Sequence, residues 1–476
     1  MTKPRFKIGL FGIGLETYWA QFEGLKDRLM GYIDLVAEKL GDDETDIINL
    51  GLIDTAEKAF EAGHLFRKND VDMLFLYVTT YSLSAIALPV VKRAKVPVIV
   101  LNLSPELAID YERFNKLNDR TLMTAEWLAN CSACTMPELA NVFKRANIPF
   151  LQVNGALKND PIVWKEIAEW KEAGKVAHAM YNNRLGLMGN YYSGMLDIYS
   201  DLTLQCATFG GHIEIIEVDE LSAIRSQADE QAIMLKQNSF MDIFDVQPDC
   251  SAKELKRSAR TAVALDQLVS KYNLGSIAYY HKGIGNPSNE DTMSSIILGS
   301  SILTAQGIPV AGEYEIKNVQ AMKIMDIFKA GGSFTEYYAI DYIDDIVLMG
   351  HDGPGHLTIA EGKIKVKPLK VYHGKHGQGL SVEMSVKNGP VTLLSVIETK
   401  GGHIIFLIAE AQSVSGPILA IGNTNSRYKF SIGARKFVEE WNSHGPAHHC
   451  AIGIGHISAK IKKLGKLLDI ETIQIC

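Results

Sequence analysis

The sequence predicts an α/β protein in three parts: an N-terminal parallel-sheet (flavodoxin-like) domain, a second α/β domain, and a C-terminal antiparallel β-rich domain. Three observations carry this. Over residues 1–174, short apolar runs alternate with amphipathic stretches, the rhythm of βαβ units and a parallel sheet. Over residues 175–324 the rhythm continues with longer helical stretches. Over residues 325–476, strand-like runs follow one another with glycine turns between them, which implies antiparallel pairing. The expected domain boundaries are therefore 1–174, 175–324 and 325–476.

In the first domain the expected strands are Lys7–Gly14, Asp46–Ile53, Met73–Val78, Val96–Leu103 and Pro149–Val153. Amphipathic stretches Gln21–Leu40, Thr55–Lys68, Ser82–Arg93 and Pro137–Ala146 lie between them. Parallel sheets bind ligands beyond the carboxyl ends of their strands. Residues expected there include Glu16, Tyr18, Trp19 and Tyr81. Gly9, Gly12 and Gly14 cluster after the first strand, but the sixth position counted from Gly12 is Thr17. The G-x-G-x-x-G spacing fails, so a nicotinamide site is not expected.

In the second domain, Thr203–Thr208, His212–Val218 and Ser276–His281 read as strands, Glu220–Gln237 and Ser251–Tyr272 as helices, and Asn182–Tyr192 as a loop. In the third, strands are expected at Ile346–Met349, His356–Ile359, Ile364–Tyr372, Leu380–Val386, Val391–Thr399, His403–Gln412 and Arg427–Ile432. Helices at Ala434–Trp441 and Ile457–Leu468 follow.

Bulk properties exclude several classes. The chain has 476 residues, 47% hydrophobic and 22% charged, with a net charge of −7. That is an ordinary globular composition, with no electrostatic reason to bind nucleic acid or an anionic membrane. The uncharged run Met73–Val91 contains Thr79, Thr80, Ser82, Ser84 and Pro89, and reads as strand, loop and helix rather than one bilayer span. Six scattered cysteines and no signal peptide fit free thiols in a cytoplasmic protein. Cys131 and Cys134 form a single CxxC, half of what a zinc site needs.

Histidine is the one unusual count. Nine of 13 lie from His351 onward, where an even spread over 126 of 476 residues would put about three. Four segments in the second half could carry chemistry: Gly312-Glu313-Tyr314-Glu315-Ile316-Lys317; Gly331-Gly332-Ser333-Phe334-Thr335-Glu336; Gly350-His351-Asp352; and Ala447-His448-His449. Each follows an apolar run or a glycine turn, where a scaffold presents functional groups. Taken singly, each reads equally well as a solvated charge or a polar loop. Together, two carboxylates and two imidazoles form a mixed ligand set suited to Mn, Fe, Co or Zn.

In these segments the chain resembles the L-arabinose isomerase / L-fucose isomerase-like family of aldose–ketose isomerases. Glu313-Tyr314-Glu315-Ile316-Lys317 looks like the family's Glu-x-Asp-x-Lys segment. Gly331 to Glu336 looks like its Gly-Gly-Thr-Ser-Phe-x-Glu stretch, one residue shorter here. Ala447-His448-His449 looks like its Gly-Gly-Ala-His-His loop, and His351 falls at the family's strand-end histidine.

The resemblance implies metal ligands at Glu313, Glu336, His351 and His449, with Mn²⁺ as the ion. It implies that Glu313 and Glu336 act as acid and base around a cis-enediol of an L-arabinose-like pentose or deoxyhexose. His448, Glu16, Tyr18, Trp19 and Tyr81 would contact the small sugar substrate. A homo-oligomer, trimer or hexamer, with shared active sites is also implied. Departures from the family lie around the substrate. Glu315 replaces an Asp, Asp352-Gly353-Pro354 replaces a segment that carries a Glu, and Glu16 lies near where a Gln is expected. The alternative is a non-catalytic sugar-binding or regulatory protein on the same scaffold.

Overall fold

The computed structural model describes residues 4–283, 285–369, 371–372, 375–376 and 379–476. The expected strand Ile364–Tyr372 includes Lys370, which lies outside the described residues, as does His373. The chain divides into two compact units, Met1–His178 and Ala179–Cys476.

The first unit is a five-stranded parallel sheet of β1 (Phe6–Ile13), β2 (Thr45–Ile53), β3 (Met73–Tyr77), β4 (Val98–Ser104) and β5 (Phe150–Ala156). Its strand order, β2-β1-β3-β4-β5, is that of flavodoxin-like folds. The run that looks membrane-like is β3 followed by helix Ser84–Ala94. Every residue of β3 is buried, as a central parallel strand requires. Among the described residues no helix is long and apolar enough to cross a membrane. Cys131 and Cys134 are joined as a disulfide, and Cys206, Cys250, Cys450 and Cys476 are free, so the expectation of six free thiols is corrected.

The second unit contains two large sheets over a shared core and two small ones beside them. A four-stranded parallel sheet has the order β10-β9-β6-β7, from β6 (Arg184–Gly189), β7 (His212–Ile216), β9 (Ser276–Tyr280) and β10 (Val310–Ala311). Short β8 (Asp245–Val246) pairs instead with a three-stranded sheet described below.

Three expectations fail here. Thr203–Thr208 is helical, within Leu202–Phe209, because Asp201 caps it by accepting from the amides of Thr203 and Leu204. The stretch Asn182–Tyr192, polar at both ends, holds β6, whose Leu185-Gly186-Leu187-Met188 centre is buried between β7 and β9. The Glu220–Gln237 stretch is two helices, Val218–Ser226 and Glu230–Ile243, the second capped by Asp229.

The antiparallel part is built from β11 (Gly331–Asp341), β12 (Ile346–His351), β17 (Gly389–Glu398), β18 (Ile404–Val414), β19 (Thr424–Phe430) and β20 (His449–Ile454). Their order is β17-β20-β11-β12-β19-β18, and β17 also pairs with β18, so six strands close into a barrel. Strand β21 (Glu471–Gln474) extends β18 in parallel. Strands β13 (Lys365–Pro368) and β16 (Leu380–Glu383) form the three-stranded sheet with β8, and β14 (Val371–Tyr372) pairs with β15 (Lys375–His376). The expected strand His356–Ile359 is a single 3₁₀ turn, Leu357–Ile359.

Helix Ile316–Ile327 is buried along almost its whole length and packs on β11, β17 and β20. One apolar core runs through both sheets, from Met188 and Ile277 to Leu393 and Ile452.

A candidate metal centre

Three barrel strands meet in register at the site. Glu336 on β11 pairs with Gly350 on β12 and with His449 on β20. His351 is the last residue of β12 and His449 the first of β20. Gly350 is required where it stands. A Cβ there would lie 1.8 Å from the Thr424 carbonyl oxygen and 2.6 Å from Asn425 Cα, on backbone that cannot yield.

Glu313 arrives from the parallel sheet. It follows β10 in a tight turn in which the Glu315 amide donates to the Gly312 carbonyl and the Tyr314 amide to Tyr279. Glu313 and Tyr314 both take left-handed φ angles, +57° and +62°. Each costs about 1–2 kcal/mol for a residue with a Cβ. Two in succession mark a turn held against its own preference by its surroundings, as at many functional sites.

Among the described residues, Glu336, His351 and His449 form one group whose ligand atoms lie within 4.8 Å of one another, and Glu313, His448 and His449 form another. His449, shared by both, has its Nε2 3.4 Å from Glu313 Oε2 and 3.2 Å from His351 Nε2. His351 Nε2 lies 3.9 Å from Glu313 Oε1. Glu313 Oε2 is buried and accepts no well-formed hydrogen bond.

The second nitrogen of each ring fixes its tautomer. His351 Nδ1 is 3.0 Å from the Asp352 carbonyl, which can only accept, so Nδ1 carries the proton. Burial pushes this imidazole down to about 3, with the neighbouring His449 adding to the effect, so the ring is neutral and Nε2 is bare. His449 Nδ1 lies 3.4 Å from Glu315 Oε2 and donates to that carboxylate. Glu315 is fully buried and paired with Lys317 at 3.2 Å. Two bare Nε2 atoms facing each other need a proton or a cation between them. Two nitrogens bound to one ion at about 2.1 Å, at right angles, would be about 3 Å apart. Glu336, His351 and His449 therefore fit a divalent ion between them, with Glu313 in reach of both histidines and acceptors behind both rings as metal sites require.

His448 stands beside this set. Its backbone amide and Nδ1 both approach Asp197 Oδ2, at 3.0 and 2.6 Å. Its Nε2 lies 3.7 Å from Glu313 Oε2 and 3.9 Å from Glu336 Oε2. Burial alone would lower His448, but Glu313 and Asp197 outweigh it and push the imidazole up to about 9. For Glu313, burial raises the carboxyl, while the contact with His448 outweighs it and brings the group below its ordinary value.

Glu16, Tyr18, Trp19 and Tyr81 belong to the first unit. Glu16–Tyr18 is a 3₁₀ turn after β1, and Tyr81 follows β3, so all lie at carboxyl ends of neighbouring strands. Trp19 Nε1 donates to buried Asp54 at 2.8 Å, and the Tyr18 ring packs edge-on against Trp19. Ser82 Oγ, donating to the Gly14 carbonyl, ties the two loops together.

Residues 331–471 match the L-arabinose isomerase C-terminal domain. The matched segment contains Glu336, His351, His448 and His449, and starts downstream of Glu313 and Asp197. No curated protein matches the chain in sequence. Among solved structures, the chain is similar to a periplasmic solute binding protein of an ABC transporter from Actinobacillus succinogenes 130z with bound D-allose. Identity is 12%, coverage 68% of this chain and 92% of that one, and TM-score 0.18. A D-lactate dehydrogenase from Escherichia coli gives 12% identity, 68% and 94% coverage, and a TM-score of 0.15. Scores this low bear on neither the fold nor the chemistry of the site.

Two functional contacts were not apparent in the sequence. Asp197 reaches His448 across 251 positions, and Glu315 reaches His449 across 134. Glu315 carried a signal, as an acidic residue two places from Glu313 in an otherwise apolar run. Asp197 carried none.

Proposed function

We propose that the protein is a metal-dependent aldose–ketose isomerase acting on an open-chain, L-arabinose-like pentose or deoxyhexose, with Mn²⁺ as its ion. The observation that carries the reading is the pair of Nε2 atoms of His351 and His449, 3.2 Å apart, with Glu313 in reach of both and Glu336 paired in register with His449. The match of residues 331–471 to the L-arabinose isomerase C-terminal domain supports it.

Glu313, Glu336, His351 and His449 would hold the ion, and a divalent cation there supplies Lewis-acid polarisation of a carbonyl and its neighbouring hydroxyl. One of the two glutamates removes the proton from C2 of the aldose and returns it to C1 through a cis-enediol. The other carries the hydroxyl proton from O2 to O1. A base kept ionised serves the first task, and Glu313, held below its ordinary carboxyl range, answers that description. His448 faces both carboxylates and is placed to hold a substrate hydroxyl. By the same resemblance, Tyr18, Trp19, Tyr81 and Glu16 contribute to sugar contacts in a homo-oligomer.

A panel of aldoses and ketoses assayed with Mn²⁺, then with EDTA, tests the reading. Turnover of at least one pair, abolished by EDTA and restored by Mn²⁺, is expected. Glu313→Gln and Glu336→Gln should each remove turnover while the fold persists. Sugar binding without any ketose product would favour the non-catalytic alternative.

A further inference from the structure

We propose that Asp197 is a positioning residue for the isomerisation, one that fixes the His448 ring so that Nε2 points between Glu313 and Glu336. The inference rests on the isomerase reading. Asp197 lies in the loop after β6, within the 3₁₀ turn Leu196–Ile198. Its Oδ2 accepts from both the backbone amide and Nδ1 of His448. Gripping one residue by main chain and ring together leaves its side-chain torsions no freedom. The only ring nitrogen left to a substrate is then Nε2, 3.7 and 3.9 Å from the two carboxylates.

Asp197 is itself anchored. Its carbonyl accepts from Lys317 Nζ at 2.8 Å. Lys317 pairs with Glu315, Glu315 accepts from His449, and His449 is the chain neighbour of His448. The contacts close a ring: Asp197, His448, His449, Glu315, Lys317 and back to Asp197. A displacement of the loop is thereby coupled to both histidines.

A purely stabilising role fits the geometry poorly. The Asp197 and His448 side chains are 40% and 34% exposed, and ion pairs that open to solvent contribute little to stability. What the pair does provide is orientation, and reactions held in a fixed geometry lose large factors when a positioning contact is cut.

The test uses the full chain with Mn²⁺ and compares Asp197→Ala, Asp197→Asn, His448→Ala and the double variant Asp197→Ala/His448→Ala. Asp197→Ala should lower kcat roughly 10–100-fold, with Mn²⁺ affinity by calorimetry within about twofold of wild type. Asp197→Asn, which can still accept from both N–H groups, should fall between the two. The double variant should be no slower than His448→Ala, since Asp197 acts through that ring. In the metal-free protein with ¹⁵N-labelled histidine, a downfield Nδ1 proton resonance absent from His448→Ala should also be absent from Asp197→Ala.

The inference is overturned if Asp197→Ala keeps wild-type kcat, if the double variant is clearly slower than His448→Ala, or if the resonance survives in Asp197→Ala. Wild-type protein that isomerises no sugar overturns the isomerase reading instead. The resonance then decides the pairing alone: its loss in Asp197→Ala supports it, and its persistence refutes it.

Discussion

His351 and His449 face each other through Nε2 at 3.2 Å, while the Nδ1 of each is committed to an acceptor behind it, the Asp352 carbonyl and the Glu315 carboxylate. Two strands deliver the rings from opposite sides of β11, so the approach is set by barrel register and not by a flexible loop.

That arrangement predicts one Mn²⁺ per chain. Isothermal calorimetry on metal-free protein should show a single site. His351→Ala should abolish it, because its ring supplies one of the two facing nitrogens. A Mn²⁺ affinity unchanged in His351→Ala would remove this residue from the ligand set.

Glu315 acts on the site from behind. Glu315→Gln removes the charge that receives the His449 Nδ1 proton, and Mn²⁺ affinity should fall roughly 10–100-fold. It also leaves the Lys317 ammonium, 3% exposed, without its carboxylate, at a cost of about 3 kcal/mol in stability. Thermal unfolding and calorimetry on the same variant separate the two effects.

Gly350 is a packing requirement of the barrel. Gly350→Ala would drive a Cβ into the Thr424 carbonyl and should destabilise by about 3 kcal/mol. Because Gly350 pairs with Glu336, metal affinity should weaken in the same variant. Unfolding at wild-type temperature would show that β12 and β19 can separate more easily than their register suggests.

The first unit carries a pH-dependent contact. His178 places Nδ1 2.7 Å from Asp72 and Nε2 3.0 Å from the Pro4 carbonyl. Burial lowers this imidazole, but the two acceptors outweigh it and the net shift is upward. A group raised in the folded state contributes its stability fully below its unfolded pKa, about 6.5, and loses it as pH rises through the folded value. Compared with His178→Gln, wild type should therefore hold its largest advantage in unfolding temperature below pH 6.5 and lose part of it above. An advantage that grows with pH would contradict the assignment.

Much of the fold was legible in the sequence. The βαβ rhythm of residues 1–174 and the run of strands after residue 325 both reflect periodicities that burial imposes directly. Thr203–Thr208 misled because its alternation of polar and apolar residues is equally a helix turn, and Asp201 decides between them. β6 was hidden because its polar flanks, Asn182–Arg184 and Asn190–Tyr192, mask a short buried centre. Barrel closure was not legible at all, since pairing of β17 with β18 does not reveal whether the far strands meet.

At the site, the segments that carry Glu313, Glu336, His351 and His449 stood out beside glycine turns and apolar runs, and the resemblance to the isomerase family picked out these four residues within them. Their convergence did not stand out, because it depends on three-strand register and on a turn with two consecutive left-handed residues. Asp197 was invisible for the same reason: only the folded loop after β6 brings it to His448.

The central claim is that this cluster moves a proton between two carbons of a bound sugar by way of a carboxylate. Isomerisation in D₂O, with the Mn²⁺-loaded protein and the best aldose of the panel, tests it most directly. A carboxylate that picks up the C2 proton can exchange it with solvent before returning it, so the ketose should carry deuterium at C1. Ketose that still carries no deuterium at C1 after many turnovers at equilibrium would contradict the account, and would point to a hydrogen passed directly from carbon to carbon.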